Sequence, residues 1–102
     1  MAWVAAARTA EIAPGTARVV EAGSRRIALC NTGSGFYAID DVCTHDGGSL
    51  DQGSLDGLQI ECPRHGARFD VTTGKALCLP AIRPVRTYAT RVSGDDIEVE
   101  LP

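Results

Sequence analysis

Two short segments hold both histidines of the chain and half of its cysteines: Cys43-Thr44-His45 and Cys62-Pro63-Arg64-His65-Gly66. Each offers one thiolate and one imidazole, and the glycine-rich stretch Asp46 to Glu61 between them carries few large side chains. Cys-x-His and Cys-x-x-His segments able to converge point to a metal centre. A structural zinc ion accepts two Cys and two His in a tetrahedron. Zinc knuckles, however, normally pair Cys with Cys and His with His, at wider spacing. Here each knuckle is mixed, and the first leaves a single intervening residue. That spacing suits two irons better than one ion, because each loop can send its Cys to one iron and its His to the other.

Such loops need a scaffold, and the rest of the chain reads as short β-strands between glycine turns. Strands are expected over Trp3 to Ala6, Thr16 to Glu21, Arg25 to Cys30 and Phe36 to Asp40, with Ala22-Gly23-Ser24 closing a hairpin. Leu58 to Glu61 and Ala67 to Val71 are short strands leading into and out of the second ligand segment. Lys75 to Leu79 follows a Thr73-Gly74 turn, and Pro80 and Pro84 mark an extended connection without ladder donors. Val85 to Val92 and Ile97 to Leu101 flank Ser93-Gly94-Asp95-Asp96, a second hairpin. No segment sustains 3.6-residue apolar spacing over three turns, which excludes long helices. The expectation is an all-β fold, a small antiparallel sandwich or barrel, interrupted between Asp41 and Leu58 by a loop excursion.

At 102 residues the chain is expected to form one domain, residues 1–102. Apolar residues make up 44%, but the aromatics number only Trp3, Phe36, Tyr37, Phe69 and Tyr88. A metal centre would add stability to so small a core, since its binding energy is partly folding energy. A net charge of −3 argues against nucleic acid. No apolar run approaches the roughly 20 residues a membrane span needs. Residues Met1 to Arg8 lack the basic n-region of a signal peptide. A cytoplasmic protein is expected, in which cysteines serve as ligands more often than as disulfides.

The two ligand segments resemble the binding motif of Rieske [2Fe–2S] proteins. So do Asp40-Asp41-Val42 before them, Leu50 and Gly53 within, and Phe69-Asp70 with Thr73-Gly74 after. The resemblance implies one [2Fe–2S] cluster, with Cys43 and Cys62 on the inner iron and His45 and His65 on the outer one. It implies a Rieske-like β fold with the cluster at the tip of two loops, a cluster-binding subdomain of about residues 41–79. High-potential members of the family add two cysteines that join the loops, where this chain has Gly48 and Arg64. They also aim a serine and a tyrosine hydroxyl at the cluster sulfurs, where this chain has Ala67 and Phe69. Fewer donors to sulfur destabilise the reduced state, placing the potential near the lower end of the Rieske range of roughly −150 to +300 mV.

The chain is thus similar to the soluble Rieske-type ferredoxins of aromatic-ring dioxygenase systems. Such a carrier takes electrons from an NAD(P)H-dependent flavin reductase and delivers them to a terminal non-haem iron oxygenase, as a monomer. Both histidines are used by the cluster, so none remains for an oxygenase triad of two His and a carboxylate. Catalysis within the chain is therefore not expected. The alternatives are a small subunit of an assimilatory nitrite reductase and a structural zinc module. Cys30 and Cys78, each flanked by apolar residues, are expected to be buried small hydrophobes. Gly47, Gly48, Gly53 and Gly66 are expected to let backbone N–H groups approach the cluster sulfurs. The acids Asp40, Asp41, Asp46, Asp51 and Asp56 read either as a solvated loop or as a surface that docks a basic partner. Arg64 and Arg68 are expected to dilute their negative field, Arg64 alternatively to aid solubility or docking, and Trp3 to serve packing.

Overall fold

The computed structural model describes residues 2–42, 50, 53–63, 66–79 and 83–102. The strands are β1 (Ala2–Arg8), β2 (Thr16–Ala22), β3 (Arg25–Asn31), β4 (Phe36–Asp40), β5 (Ser54–Asp56) and β6 (Gln59–Glu61). They continue as β7 (Arg68–Asp70), β8 (Ala76–Cys78), β9 (Thr87–Tyr88), β10 (Thr90–Ser93) and β11 (Asp96–Leu101). Three sheets result, ordered β1-β11-β10, β2-β3-β4-β9 and β5-β6-β7-β8, and every pairing is antiparallel. The all-β expectation holds. A 3-10 turn at Thr9–Glu11 follows β1.

β3 explains how the sheets stack. Ile27, Ala28, Leu29 and Cys30 are all fully buried, so this stretch of the strand has no solvent face. Alternation along it sends Ile27 and Leu29 into a core with Ile12, Tyr88, Ile97 and Val99. Ala28 and Cys30 point the other way, into a core with Ile39, Leu50, Ile60, Cys62 and Phe69. β4 divides similarly, Ala38 to the first core and Ile39 to the second. The β2-β3-β4-β9 sheet is therefore the shared wall between the other two sheets. A continuous apolar run is what such a doubly covered strand requires.

Three hairpins turn on one device. Gly23, Gly57 and Gly94 each occupy the first central position of a two-residue loop, at φ +61°, +60° and +62°. Glycine there matches a type II′ turn, whose twist suits the flanking strands. The sequence expectation found the first and third. It missed β5 and put Leu58 in a strand, whereas Leu58 is the second residue of the Gly57 turn.

The stretch from Val85 to Val92 is not one strand. β9 pairs with β4, with Ala38 opposite Tyr88, whereas β10 pairs with β11, with Thr90 opposite Val99. The chain changes sheets at Ala89, whose carbonyl accepts the Glu100 N–H at 2.9 Å. Across this step the Thr90 hydroxyl donates to the Phe36 carbonyl at 2.7 Å, tying the sheets together.

Candidate metal centre

The second ligand segment is the tip of the β6–β7 hairpin. Glu61 pairs with Arg68, and beyond that rung the Cys62 N–H donates to the Ala67 carbonyl at 2.6 Å. The Gly66 N–H returns to the Cys62 carbonyl at 3.1 Å, with Gly66 at φ +76°. The tip is thus closed by its own backbone, and Cys62 sits at its root with 1% exposure and a free thiol. Ala67 and Phe69, both fully buried, pack in the same core. Neither side chain carries a hydroxyl.

The first ligand segment begins where β4 ends. Asp40 is held from two directions: its N–H donates to the Arg86 carbonyl at 2.9 Å, and its carboxylate accepts the Tyr88 hydroxyl proton. Arg25 donates to the same Tyr88 oxygen at 3.1 Å. Burial first, and then the Asp40 hydrogen bond, raise the Tyr88 pKa above its ordinary value. The Asp41 N–H donates to the Arg26 carbonyl at 3.2 Å, and its carboxylate pairs with the Arg26 guanidinium at 3.4 Å. The two acids that lead into the first loop are thereby matched to the two arginines that open β3.

The far end of the first loop is fixed by backbone contact. Leu50 is fully buried in the Cys62 core, and its carbonyl accepts the Gly53 N–H at 3.0 Å. A Cβ on Gly53 would stand 1.8 Å from the Glu61 carbonyl oxygen. Gly53 therefore lets the returning first loop lie directly on the backbone residue that precedes Cys62. That close approach is the observed reason for glycine here, in place of the expected access to sulfur. Gly74 does the same on the other flank. At φ +78°, a Cβ there would stand 2.1 Å from the Val85 carbonyl oxygen, and the Val85 N–H bonds the Gly74 carbonyl at 2.8 Å. Asp70 shapes the turn leading to it, its Oδ1 accepting from Thr72 N–H at 2.8 Å and Thr72 hydroxyl at 2.6 Å. These bonds, the hydroxyl foremost, hold the Asp70 carboxyl below its ordinary pKa.

Of the four expected ligands, Cys62 is described, while Cys43, His45 and His65 lie outside the described residues, as does Arg64. Cys62 fits an iron ligand, being a buried thiol with no disulfide, for which a bound metal supplies the positive charge that burial otherwise denies it. Other side chains differ from expectation. Cys78 is exposed, its sulfur 3.6 Å from the Gly66 carbonyl oxygen, because β8 is an edge strand. Cys30 is buried as expected, and burial, aided by the Asp41 charge, pushes its thiol up to about 12. Arg68 is spoken for by Glu61, at 3.0 and 3.1 Å, so its charge is neutralised locally. Trp3 is half-buried under the Arg91 guanidinium, 4.2 Å from its ring centre. Neither the Gly53 contact nor the Asp41 pair could be found from local pattern, since each joins residues far apart in the chain.

The family model that matches this chain is the Rieske [2Fe-2S] domain, over residues 2–89. The chain belongs to the Rieske [2Fe–2S] family. The 3-phenylpropionate/cinnamic acid dioxygenase ferredoxin subunit of Escherichia coli (strain K12) is 52% identical over 77 residues, 74% of this chain and 73% of that protein. Among solved structures, the ferredoxin of carbazole 1,9a-dioxygenase from Nocardioides aromaticivorans IC177 is 35% identical, with a TM-score of 0.92 over 97% of each chain. A complex of reduced oxygenase and oxidized ferredoxin in carbazole 1,9a-dioxygenase matches at 37% identity and a TM-score of 0.88, over 95% of this chain and 91% of that one.

This Rieske protein is an electron carrier with one [2Fe–2S] cluster, and not a catalytic component. The zinc alternative is thereby set aside. When bound, the cluster takes up and returns a single electron. The chain's own part is to hold two loops in register, through Gly53 on Glu61 and Gly74 on Val85. Phe69, Ile60 and Leu50 pack the core behind Cys62 and exclude water from that side.

Proposed function

We propose that Cys43 and Cys62 hold the inner iron and His45 and His65 the outer one. The carrier then passes electrons from an NAD(P)H-dependent flavin reductase to a terminal non-haem iron oxygenase of the aromatic-ring dioxygenase kind. The observation that carries this reading is Cys62: a free, buried thiol at the root of a backbone-closed hairpin tip, three residues before His65. Support for the oxygenase partner comes from the related ferredoxin solved together with its oxygenase. The reductase is inferred from the needs of the reaction, since a one-electron carrier must be recharged by a donor that splits electron pairs. We further propose that residues 1–102 work as one monomeric domain with a cluster-binding subdomain of about 41–79, and that it acts in the cytoplasm. Among the described residues no helix is long and apolar enough to cross a membrane.

The ligand assignment is tested by visible and electron-spin spectra of the reduced protein and of His45→Ala and His65→Ala variants. The wild-type protein is expected to give a mixed sulfur and nitrogen Rieske signature, and each variant to lose it. A variant that kept the same spectrum would overturn the assignment. Partner identity is tested by turnover of an aromatic-ring dioxygenase that depends on NADH, a flavin reductase and this protein together. No turnover with any such oxygenase would overturn the pathway but not the cluster.

A further inference from the structure

The short segment from Val85 to Tyr88 is tied to both proposed ligand segments. On one side, Val85 is buried in the core that holds Cys62, Ala67 and Phe69. Its N–H donates to the Gly74 carbonyl at 2.8 Å, at the end of the turn that follows β7. On the other side, the Arg86 carbonyl accepts the Asp40 N–H at 2.9 Å, and the Tyr88 hydroxyl donates to the Asp40 carboxylate. Asp40 is the last residue of β4 and stands three residues before Cys43. The exit of the second ligand hairpin and the entry to the first ligand loop are thus joined through one piece of chain.

Backbone pairing alone holds this joint weakly. β9 is two residues long, and its ladder with β4 sets Ala38 opposite Tyr88 and Ile39 opposite Thr87. The Tyr88 side chain lengthens that grip. Ala38 and Asp40 share a face of β4, so the ring opposite Ala38 reaches along the strand to the carboxylate. Tyr88 is 7% exposed, and Arg25 donates to its oxygen at 3.1 Å, which leaves the hydroxyl proton for Asp40. A hydrogen bond to a charged acceptor, largely out of water, is strong and directional.

Resting on the ferredoxin reading above, we propose that Tyr88 is a positioning residue for the electron carrier. Its hydroxyl, acting through Asp40, fixes where the first ligand loop leaves β4 relative to the core behind Cys62. Ligands held at one spacing give the irons one geometry. Ligands that wander over several spacings give a spread of geometries, and the electron-spin signal, whose position follows ligand geometry, broadens. A bond that only stabilised the fold would change the unfolding temperature and leave the spectrum of the folded protein as it was.

The experiment records electron-spin spectra of the reduced, cluster-loaded protein, and amide hydrogen exchange over residues 38–42, for wild type, Tyr88→Phe and Thr90→Val. Thr90 is the matched control, because its hydroxyl holds the Phe36 carbonyl at 2.7 Å at the opposite end of the same strand. Tyr88→Phe is expected to broaden the signal and to speed exchange about tenfold, the equivalent of one hydrogen bond to a charged group. Thr90→Val is expected to match wild type in both. A wild-type line width in Tyr88→Phe, or equal broadening in Thr90→Val, would overturn the proposal. Should Tyr88→Phe hold no cluster, Arg25→Gln, which frees the Tyr88 oxygen from its donor, decides alone: broadening supports the proposal and a wild-type width overturns it. A wild-type protein without a Rieske signal would instead sink the ferredoxin reading. The exchange rates would then still decide the clamp, which equal rates in wild type and Tyr88→Phe would overturn.

Discussion

The β2–β3 and β5–β6 hairpins turn on the same glycine device, and they are stabilised in different ways. β2 and β3 are seven residues each, and β3 buries an unbroken run from Ile27 to Asn31. That hairpin carries its own ladder and its own apolar area, at about 1.5–3 kcal/mol for each large aliphatic side chain buried. β5 and β6 are three residues each, too short to stand alone. They persist because Gly53 lays the first loop on Glu61 and Gly74 fastens the far flank to Val85. One end of the molecule is specified by strand length and pattern. The other is specified by a few backbone contacts between distant residues, and there lies Cys62, the proposed cluster ligand.

Identical substitutions at the two ends break this symmetry most sharply. Gly53→Ala pushes a Cβ onto a backbone carbonyl that has nowhere to go. The cost is expected to be ~3 kcal/mol or more, at the upper end of overpacking, with the cluster's visible absorbance lost at lower denaturant. Denaturant midpoints and cluster absorbance check it, and a variant equal to wild type would refute the backbone clamp.

A second test uses Cys30, a buried scaffold thiol in the same core as Cys62. The Cys30 thiol is raised from 9.0 to about 12, so folding favours its neutral form. Its contribution is full below pH 9.0 and is lost as pH rises toward about 12. The loss is at most about 1.4 kcal/mol per pH unit. Unfolding curves between those limits should fall less steeply for Cys30→Ala than for wild type.

Next in size is Tyr88→Phe. It removes the hydroxyl that Arg25 and Asp40 share, at a cost of about 1.5 kcal/mol for a hydrogen bond to a charged group. Thermal unfolding measures it, and an unchanged Tm would show that the arginine and the acid compensate directly. Smallest is Gly94→Ala, in the scaffold hairpin β10–β11. Its Cβ would meet open space, so the cost is only that of φ +62° for a side chain, about 1 kcal/mol. The contrast with Gly53→Ala is the point: the same added methyl is expected to cost several-fold more where backbone meets backbone.

What could be read directly from the amino-acid order was local. Glycine at positions 23 and 94 between β-branched runs announced two hairpins, because a two-residue turn needs nothing beyond its own backbone. The mixed Cys and His spacing announced the family and its cluster, because ligand order along a loop is a property of the loop. β5 escaped notice because three residues carry too little alternation to register. Tertiary structure alone decided that the chain would change sheets at Ala89, that Cys78 would lie exposed on an edge strand, and that Gly53 would face Glu61. It also decided that the Asp41 carboxylate would be sealed inside while its arginine stayed out. Each of those outcomes depends on which distant residues come together, and contact between sheets is set by the packing of the whole chain rather than by any window of its sequence.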